Sequence, residues 1–274
     1  GTLTALELAA GNNSGTPSPF HYVSTASLAR GEADGVSPPS PMQLMSSETA
    51  AATCSGYAQT KWVAEALVRR AHEENIVAVT ISRPSMITGN SQSGNGNSQQ
   101  WNARFFRASL ELGAFLSGPG RLDMTPVDFV AAAVFHFATA RDALGIGIDS
   151  ADACVHTITN ASSCPSFHEV GQYAISPVLA AATAAAGGGS GGAPDYAPMD
   201  LTAFKAAIVG AGRTCALYAL VQQLVDPNVG MEGPKMSRLD TESLSAEGID
   251  SGMGVDPIEL ARRYVRAALR DLQQ

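Results

Sequence analysis

The sequence predicts an α/β fold, in which a parallel sheet is covered by helices, followed by a mostly helical region. Two observations predict it. Short apolar runs rich in β-branched residues alternate with helical patterns in the first half of the chain. Beyond about residue 160 the periodic segments are helical almost throughout. We therefore divide the chain into an α/β region over residues 1–160 and a mostly helical region over residues 161–274.

The elements of the first region follow from apolar periodicity and from turn residues. In chain order they are a helix over Thr2–Ala10 closed by Gly11, a strand over Phe20–Thr25, a Pro/Ser/Gly-rich loop over 30–53, a helix over Ser55–Glu73, a strand over Ile76–Ser82, a loop over Thr88–Gln100, and helices over Arg104–Leu116 and Pro126–Ala140. Ile76–Ser82 (IVAVTIS) is continuously apolar, as is typical of a strand buried on both faces of a parallel sheet. In the preceding helix we expect Val63, Ala66 and Leu67 to lie on the apolar side.

The second region has fewer strand signals. Its predicted elements are a strand over Cys154–Thr159, just before the boundary, a short helix over Phe167–Ala174, and helices over Leu201–Val225 and Pro257–Leu272. Residues 180–194 (AAATAAAGGGSGGAP) are of low complexity and predict a disordered surface insertion.

Composition excludes several classes of protein. Apolar residues make up 45% of the 274 residues and charged residues 15%, which is typical of a globular chain. The net charge of −8 argues against a nucleic-acid partner. Four dispersed cysteines without metal spacing predict free thiols and a cytoplasmic location, and the histidines also lack metal-ligand spacing. The sequence has no apolar run long enough to predict a membrane span.

The chemistry is concentrated in SGYAQTKW, where Tyr57 and Lys61 are four residues apart in a predicted helix. This spacing places both side chains on one face of the helix. An ammonium beside a phenol favours the phenolate, so the pair can donate or accept a proton. The Thr25 hydroxyl, at the end of the preceding strand, could bind the same substrate oxygen. The pattern therefore predicts a proton-transfer site.

Five segments in this order resemble one family. They are HYVSTAS, SGYAQTKWVAEALV, ISRPSMITGNSQSGNGN, the helix beginning near Arg104, and LDMTPVDFVAAAV. Together they resemble the extended short-chain dehydrogenase/reductase superfamily, and within it the thioester-reductase branch. That branch includes the terminal reductase domains of nonribosomal peptide and polyketide synthases, carboxylic acid reductases and α-aminoadipate reductases. The resemblance covers about residues 1–160.

The resemblance implies a Rossmann-like doubly wound sheet with a helical substrate-binding cap, and it implies roles for individual residues. Thr25 would bind the reacting carbonyl, Tyr57 would donate the proton, and Lys61 would assist Tyr57 and bind the nicotinamide ribose. The backbone of Pro84, Ser85 and Met86 would line the nicotinamide pocket. The implied cofactor is NADPH. The implied substrate is an acyl thioester on the phosphopantetheine arm of an acyl or peptidyl carrier domain, reduced to an aldehyde or an alcohol.

The sequence also departs from the family. Relatives bind the cofactor diphosphate with a Gly-rich turn after the first strand, and no such turn precedes Thr25 here. Roughly a hundred residues of the nucleotide half are then missing from this chain, judged from the size of such a half. We therefore expect the chain to be inactive by itself. The alternatives are a catalytically incomplete fragment of such a reductase, or another extended-family epimerase or dehydrogenase.

Two charged residues near the site have simpler interpretations. We expect Arg83 to pair with a carboxylate and to close its strand. We expect Glu65 to form an ion pair on the surface of its helix, because carboxylates are rarely fully buried.

Overall fold

A computed structural model describes residues 1–11, 17–29, 44–53, 55–139, 154–160, 164–185, 196–223, 244–249 and 255–273. The chain forms two compact units that interleave along the sequence. The first comprises Gly1–Met86, Phe129–Thr159 and Gly233–Ser251, and the second comprises Ile87–Asp128, Asn160–Glu232 and Gly252–Gln274. Whether residues 1–160 and 161–274 act as separate functional regions stays a prediction.

The helices and strands alternate through the first half of the chain. The α-helices are α1 (Thr2–Ala10), α2 (Ser47–Thr53), α3 (Gly56–Glu73), α4 (Trp101–Leu112), α5 (Val127–Thr139), α6 (Phe167–Val170), α7 (Ser176–Ala185), α8 (Leu201–Ala211) and α9 (Pro257–Leu272). The strands are β1 (Phe20–Val23), β2 (Val79–Pro84), β3 (Ile87–Thr88), β4 (Ala114–Leu116), β5 (Thr125–Pro126), β6 (Cys154–Ile158) and β7 (Ala197–Met199). No described helix has both the length and the hydropathy needed to cross a membrane.

The first unit is built on a three-stranded parallel sheet with the order β1-β2-β6. Its apolar core lies between the sheet and helices α1 and α3, and is formed by Leu6, Val68, Ala71, Val77, Val79, Ile81 and Val155. Burial of each large aliphatic side chain in such a core contributes about 1.5–3 kcal/mol. The predicted parallel α/β architecture is therefore confirmed in this unit.

Helix α3 begins where the sequence predicts, because the Ser55 hydroxyl caps it by accepting a hydrogen bond from the Ala58 N–H at 3.3 Å. The predicted apolar side is wrong. Val63 is 53% exposed and Leu67 is 42% exposed, whereas Glu65 and Val68 are buried. The hydrophobic pattern misled here because the face directed at the sheet includes a carboxylate that an arginine neutralises.

In the second unit, aromatic packing is centred on α4. The ring of Phe105 lies near four other aromatic rings, those of Trp101, Phe106, Phe167 and Phe204, at centroid distances of 5.2, 5.7, 5.8 and 6.1 Å. Two short parallel pairs, β3 with β5 and β4 with β7, complete the strands of this unit. Helix α9 has the predicted bounds, with Asp256 as its cap and Pro257 in its first turn.

Several predicted boundaries are wrong, and each error has a local cause. The helix predicted to reach Leu116 ends at Leu112, because Gly113 adopts the left-handed conformation (φ 60°) that terminates helices, and β4 follows. The helix predicted over Leu201–Val225 similarly ends at Ala211, before Gly212 (φ 68°).

Two segments predicted as irregular contain helices. Helix α2 lies within the predicted loop over 30–53, where the Ser46 hydroxyl accepts a hydrogen bond from the Thr49 N–H. The first six residues of the predicted insertion over 180–194 are the end of α7, since alanine is the best helix former. The remainder of that insertion, and residues 30–43 of the loop, lie outside the described residues.

Candidate active site

The predicted site residues of the strands lie at the carboxyl edge of the β1-β2-β6 sheet. Thr25 follows the end of β1 by two residues, and Pro84 is the last residue of β2. Ser85 and Met86 continue from this edge, where the Ser85 N–H donates a hydrogen bond to the Ile158 carbonyl oxygen at 2.8 Å. Ligands of open α/β sheets bind at this edge, beyond the carboxyl ends of the strands. The fold thus brings Thr25 and the Pro84–Met86 segment to the same edge.

The Thr25 side chain is held in a tight turn. Its Oγ1 accepts a hydrogen bond from the Ser27 N–H at 3.3 Å and lies 3.2 Å from the Ser27 Oγ. A short 3₁₀ helix over Ala26–Ala29 follows directly. Only 8% of Thr25 is exposed. Its hydroxyl is therefore ordered by the backbone of the turn.

Tyr57 and Lys61 lie one turn apart near the beginning of α3, as predicted. Tyr57 is 60% exposed. The Lys61 ammonium donates a hydrogen bond to the Val23 carbonyl oxygen at 2.9 Å and lies 5.4 Å from the centroid of the Tyr22 ring. Lys61 is therefore joined to the end of β1, two residues before Thr25, and its charge is held over an aromatic face.

Sequence reasoning missed Tyr22. Its ring packs against the apolar core of the first unit, under the Lys61 ammonium. Burial raises the pKa of the Tyr22 phenol, and the nearby Glu65 and Tyr57 raise it further. Tyr22 therefore stays neutral at physiological pH. Strand alternation could have identified it, because Phe20 and Tyr22 share the face of β1 that packs on the core.

Arg83 and Glu65 form a buried ion pair next to the candidate site. Arg83 donates two hydrogen bonds to Glu65, from Nη2 to Oε1 at 2.6 Å and from Nε to Oε2 at 3.1 Å, and both side chains are 0% exposed. The predicted carboxylate partner of Arg83 is thus confirmed, whereas the predicted surface position of Glu65 is wrong. Burial would raise the pKa of Glu65, but the hydrogen bonds and charge of Arg83, with Ser24 and Arg69, outweigh burial and lower it.

These groups suit the nicotinamide end of a dinucleotide. A phenol, an ammonium and a hydroxyl at one sheet edge can bind a ribose and a carbonyl oxygen, and can move a proton between them. The proline at the end of β2 has no N–H group to leave unpaired beside a ligand. Among the described residues, no group of three or more His, Cys, Asp and Glu side chains could hold a metal ion.

The parallel sheet, the hydroxyl beyond the end of a strand and the Tyr-x-x-x-Lys helix agree with the resemblance to the extended short-chain dehydrogenase/reductase class of oxidoreductases. Residues 1–134 match an NAD-binding family whose description is "Male sterility protein". This match covers just under half of the chain, and it confirms the resemblance drawn from the sequence.

Curated relatives share the first part of the chain. The chain is 40% identical to the non-canonical nonribosomal peptide synthetase FrzA of Cladobotryum sp. over 91 residues. The aligned residues are 33% of this chain and 9% of that protein. The chain is 42% identical over 84 residues to the glycine betaine reductase ATRR of Emericella nidulans (30% and 6%). It is 38% identical over 79 residues to the L-2-aminoadipate reductase of Saccharomyces cerevisiae (29% and 6%). The matches span less than a tenth of the length of these relatives.

Solved structures share the fold. The terminal R domain from the myxalamid PKS-NRPS pathway superposes with a TM-score of 0.67 at 23% identity, covering 100% of this chain and 63% of that chain. The reductase domain of a nonribosomal peptide synthetase from Mycobacterium tuberculosis gives 0.61 at 21% identity, covering 94% and 61%. A UDP-glucuronic acid 4-epimerase from Bacillus cereus gives 0.54 at 14% identity, covering 98% and 66%. The predicted Rossmann-like fold is therefore confirmed.

Proposed function

We propose that this chain is part of an NADPH-dependent reductase that converts a carrier-bound acyl thioester to an aldehyde or an alcohol. One observation carries the proposal. Lys61, one turn from Tyr57 on α3, is hydrogen-bonded to the backbone of Val23, the last residue of β1 and two residues before Thr25. This arrangement fits reduction of a carbonyl. The names of the relatives, which include peptide synthetases and an aminoadipate reductase, support the choice of substrate class.

Five residues would hold the nicotinamide end of the cofactor. Tyr57 and Lys61 would bind the ribose hydroxyls, and the backbone of Pro84, Ser85 and Met86 would pack against the nicotinamide ring. When bound, the cofactor supplies the hydride. The choice of NADPH over NADH comes from the family resemblance, because the sequence contains no Gly-rich phosphate-binding turn before Thr25.

The residues of the chain would activate the thioester carbonyl and supply a proton to its oxygen. Thr25 and Tyr57 would donate hydrogen bonds to the carbonyl oxygen and stabilise the negative charge that develops on it. Tyr57 would then give its proton to that oxygen, while the Lys61 charge stabilises the phenolate left behind. The product is a hemithioacetal. Its C–S bond breaks, the hydroxyl proton passes to sulfur, and an aldehyde and a free thiol are released. A second hydride and proton would give the alcohol.

The partner in this proposal is an acyl or peptidyl carrier domain that bears the phosphopantetheine thioester. One structural neighbour is a thiolation-reductase di-domain from an archaeal nonribosomal peptide synthetase, with a TM-score of 0.61 at 15% identity. That pairing supports a carrier domain as the natural partner of this fold.

Substitution of Tyr57 tests the proposal. In the full-length protein, Tyr57→Phe should reduce turnover of an acyl-pantetheine thioester by at least 100-fold, because general-acid catalysis contributes about 10²–10⁴-fold. Binding of NADPH should change little, since the aromatic ring remains. The matched control is Tyr173→Phe, which removes the hydroxyl of another exposed tyrosine. Undiminished turnover by Tyr57→Phe would refute the assigned role.

The same assay separates the alternatives. A wild-type protein that binds no nicotinamide cofactor would be a catalytically incomplete fragment. One that binds the cofactor but leaves acyl-pantetheine thioesters unchanged, and acts on nucleotide sugars, would belong with the epimerases that share the fold.

A further inference from the structure

Glu65 joins three segments that carry the candidate site. Its Oε2 accepts a hydrogen bond from the Ser24 Oγ at 2.6 Å, so it binds the residue directly before Thr25. Its partner Arg83 directly precedes Pro84, the first residue of the candidate nicotinamide segment. Glu65 itself lies on α3, one turn beyond Lys61. A single buried carboxylate thus connects the ends of β1 and β2 to the helix that carries Tyr57.

Helix α3 therefore holds the end of β1 at two successive points. Lys61 binds the carbonyl oxygen of Val23, and Glu65 binds the hydroxyl of Ser24. The Ser24 N–H also donates a hydrogen bond to the Ser82 carbonyl oxygen of β2 at 2.7 Å. Because residues four apart share one face of a helix, Tyr57, Lys61 and Glu65 form a single row along α3. Lys61 and Glu65 therefore hold the two residues directly before Thr25 against this row.

The Glu65 carboxylate is buried, so its hydrogen bonds restrict the positions of the groups that they join. Ser24 is 3% exposed, and the carboxylate of Glu65 also accepts a hydrogen bond from Arg69 Nε at 3.0 Å. Charge-assisted hydrogen bonds inside a protein are short and directional, so they restrict the groups that they join.

We propose that Glu65 is a positioning residue of the reductase site, acting through Ser24 and Arg83 to hold the Thr25 hydroxyl and the Pro84–Met86 segment in register with Tyr57 and Lys61. This inference rests on the proposed function. It predicts that loosening the Glu65–Ser24 contact lowers the rate of the chemical step, because a displacement of about 1 Å can cost up to about 100-fold in rate.

Ser24→Ala is the informative variant, because it leaves the buried Glu65–Arg83 pair intact. Its matched control is Thr80→Val, which removes another buried hydroxyl from the same sheet, one that lies 2.6 Å from His21 Nδ1 near the beginning of β1. In the full-length protein both variants should lower Tm by a similar few degrees, about 2–4 °C. Only Ser24→Ala should lower kcat, by about 10- to 100-fold, with the Kd for NADPH unchanged.

Restoring the hydroxyl with Ser24→Thr should recover most of kcat. Equal kcat values for Ser24→Ala and Thr80→Val would overturn the proposal and leave Glu65 with a purely structural role. Glu65→Gln, if it folds, should show the same loss of kcat as Ser24→Ala.

Hydrogen exchange separates this inference from the proposed function. Ser24→Ala should increase amide exchange over residues 22–28, and Thr80→Val should not increase it there. A wild-type protein without reductase activity would refute the proposed function, whereas unchanged exchange in Ser24→Ala would refute the anchoring by Glu65.

Discussion

The imidazole ring of His156 lies parallel to the ring of Phe137, with 3.8 Å between their centroids and 4° between their planes. On β1, the Nδ1 of His21 lies 2.6 Å from the Thr80 Oγ1. The register and the alternation of the strands place both imidazoles on the same face of the sheet. Burial lowers the pKa of His21 to about 4, and the neighbouring His156 adds to this effect. The face therefore holds a neutral histidine that resists protonation.

This depressed pKa predicts a loss of stability in mild acid. Between pH 6.5 and about 4 the unfolded chain binds a proton at His21 that the folded chain does not, so the free energy of unfolding falls as the pH falls. The full shift corresponds to about 3 kcal/mol, and because His21 is partly exposed we expect a loss on the order of 2 kcal/mol, absent above pH 6.5. Urea denaturation at a series of pH values should show this slope in the wild type and a smaller one in His21→Asn. An unchanged slope in the variant would assign the acid sensitivity to other groups.

Removal of the Lys61 charge should impair catalysis without unfolding the protein. In Lys61→Met the contact with the Val23 carbonyl oxygen is lost, and in the proposed mechanism the Tyr57 phenolate loses the charge that stabilises it. We expect kcat/KM to fall at least 100-fold and NADPH to bind more weakly. Arg70→Met is the control, because it removes an exposed cation from the same helix. If both variants lose the same small fraction of activity, Lys61 has no role in the reaction.

The hydroxyl of Thr25 can be removed with almost no change in shape. Thr25→Val should lower kcat by about 10²–10³-fold, as expected for loss of a donor to a developing oxyanion, and Thr25→Ser should keep most of the activity. Thr183→Val, which removes a hydroxyl bonded to the Leu179 carbonyl oxygen in α7, serves as a comparison. Steady-state measurement of kcat for the three variants tests this prediction. Full activity in Thr25→Val would exclude the predicted role of the Thr25 hydroxyl.

In the second unit, Gly171 lies against the ring of Phe115. A Cβ atom at position 171 would overlap that ring. We expect Gly171→Ala to lower the free energy of unfolding by about 1–3 kcal/mol, the usual cost of overpacking. Adding Phe115→Leu should recover part of the loss, because the smaller side chain makes room. Chemical denaturation of both single variants and of the double variant measures this coupling, and strict additivity would show that the two residues do not compete for space.

Much of the first unit could be predicted because its signals are local. The apolar run before Arg83 and the Ser55 cap of α3 each specify one element through neighbouring residues. Strand β4 could not be found in this way, because its three residues carry no period of their own and pair with β7, more than eighty positions further along the chain. Gly113 was the usable signal, since glycine commonly follows the end of a helix.

The candidate site also has some residues with local sequence signals and others whose surroundings depend on distant residues. Tyr57 and Lys61 can be selected as candidates from their spacing and the segments around them, whereas the burial of Glu65 depends on Arg83, eighteen residues away on β2. A carboxylate in a helix is usually exposed. The paired arginine offsets the free-energy cost of removing the Glu65 charge from water. The row formed by Tyr57, Lys61 and Glu65 at intervals of four was visible in the sequence and could have indicated it.

That row also limits how the length of α3 can change. Each residue of an α-helix advances the direction of the side chains by about 100°, so one residue inserted between Lys61 and Glu65 would turn one of them away from β1. Deletion of one residue would have the same effect in the opposite sense. This stretch of α3 should therefore tolerate substitutions at its exposed positions, such as Val63, but no change in length.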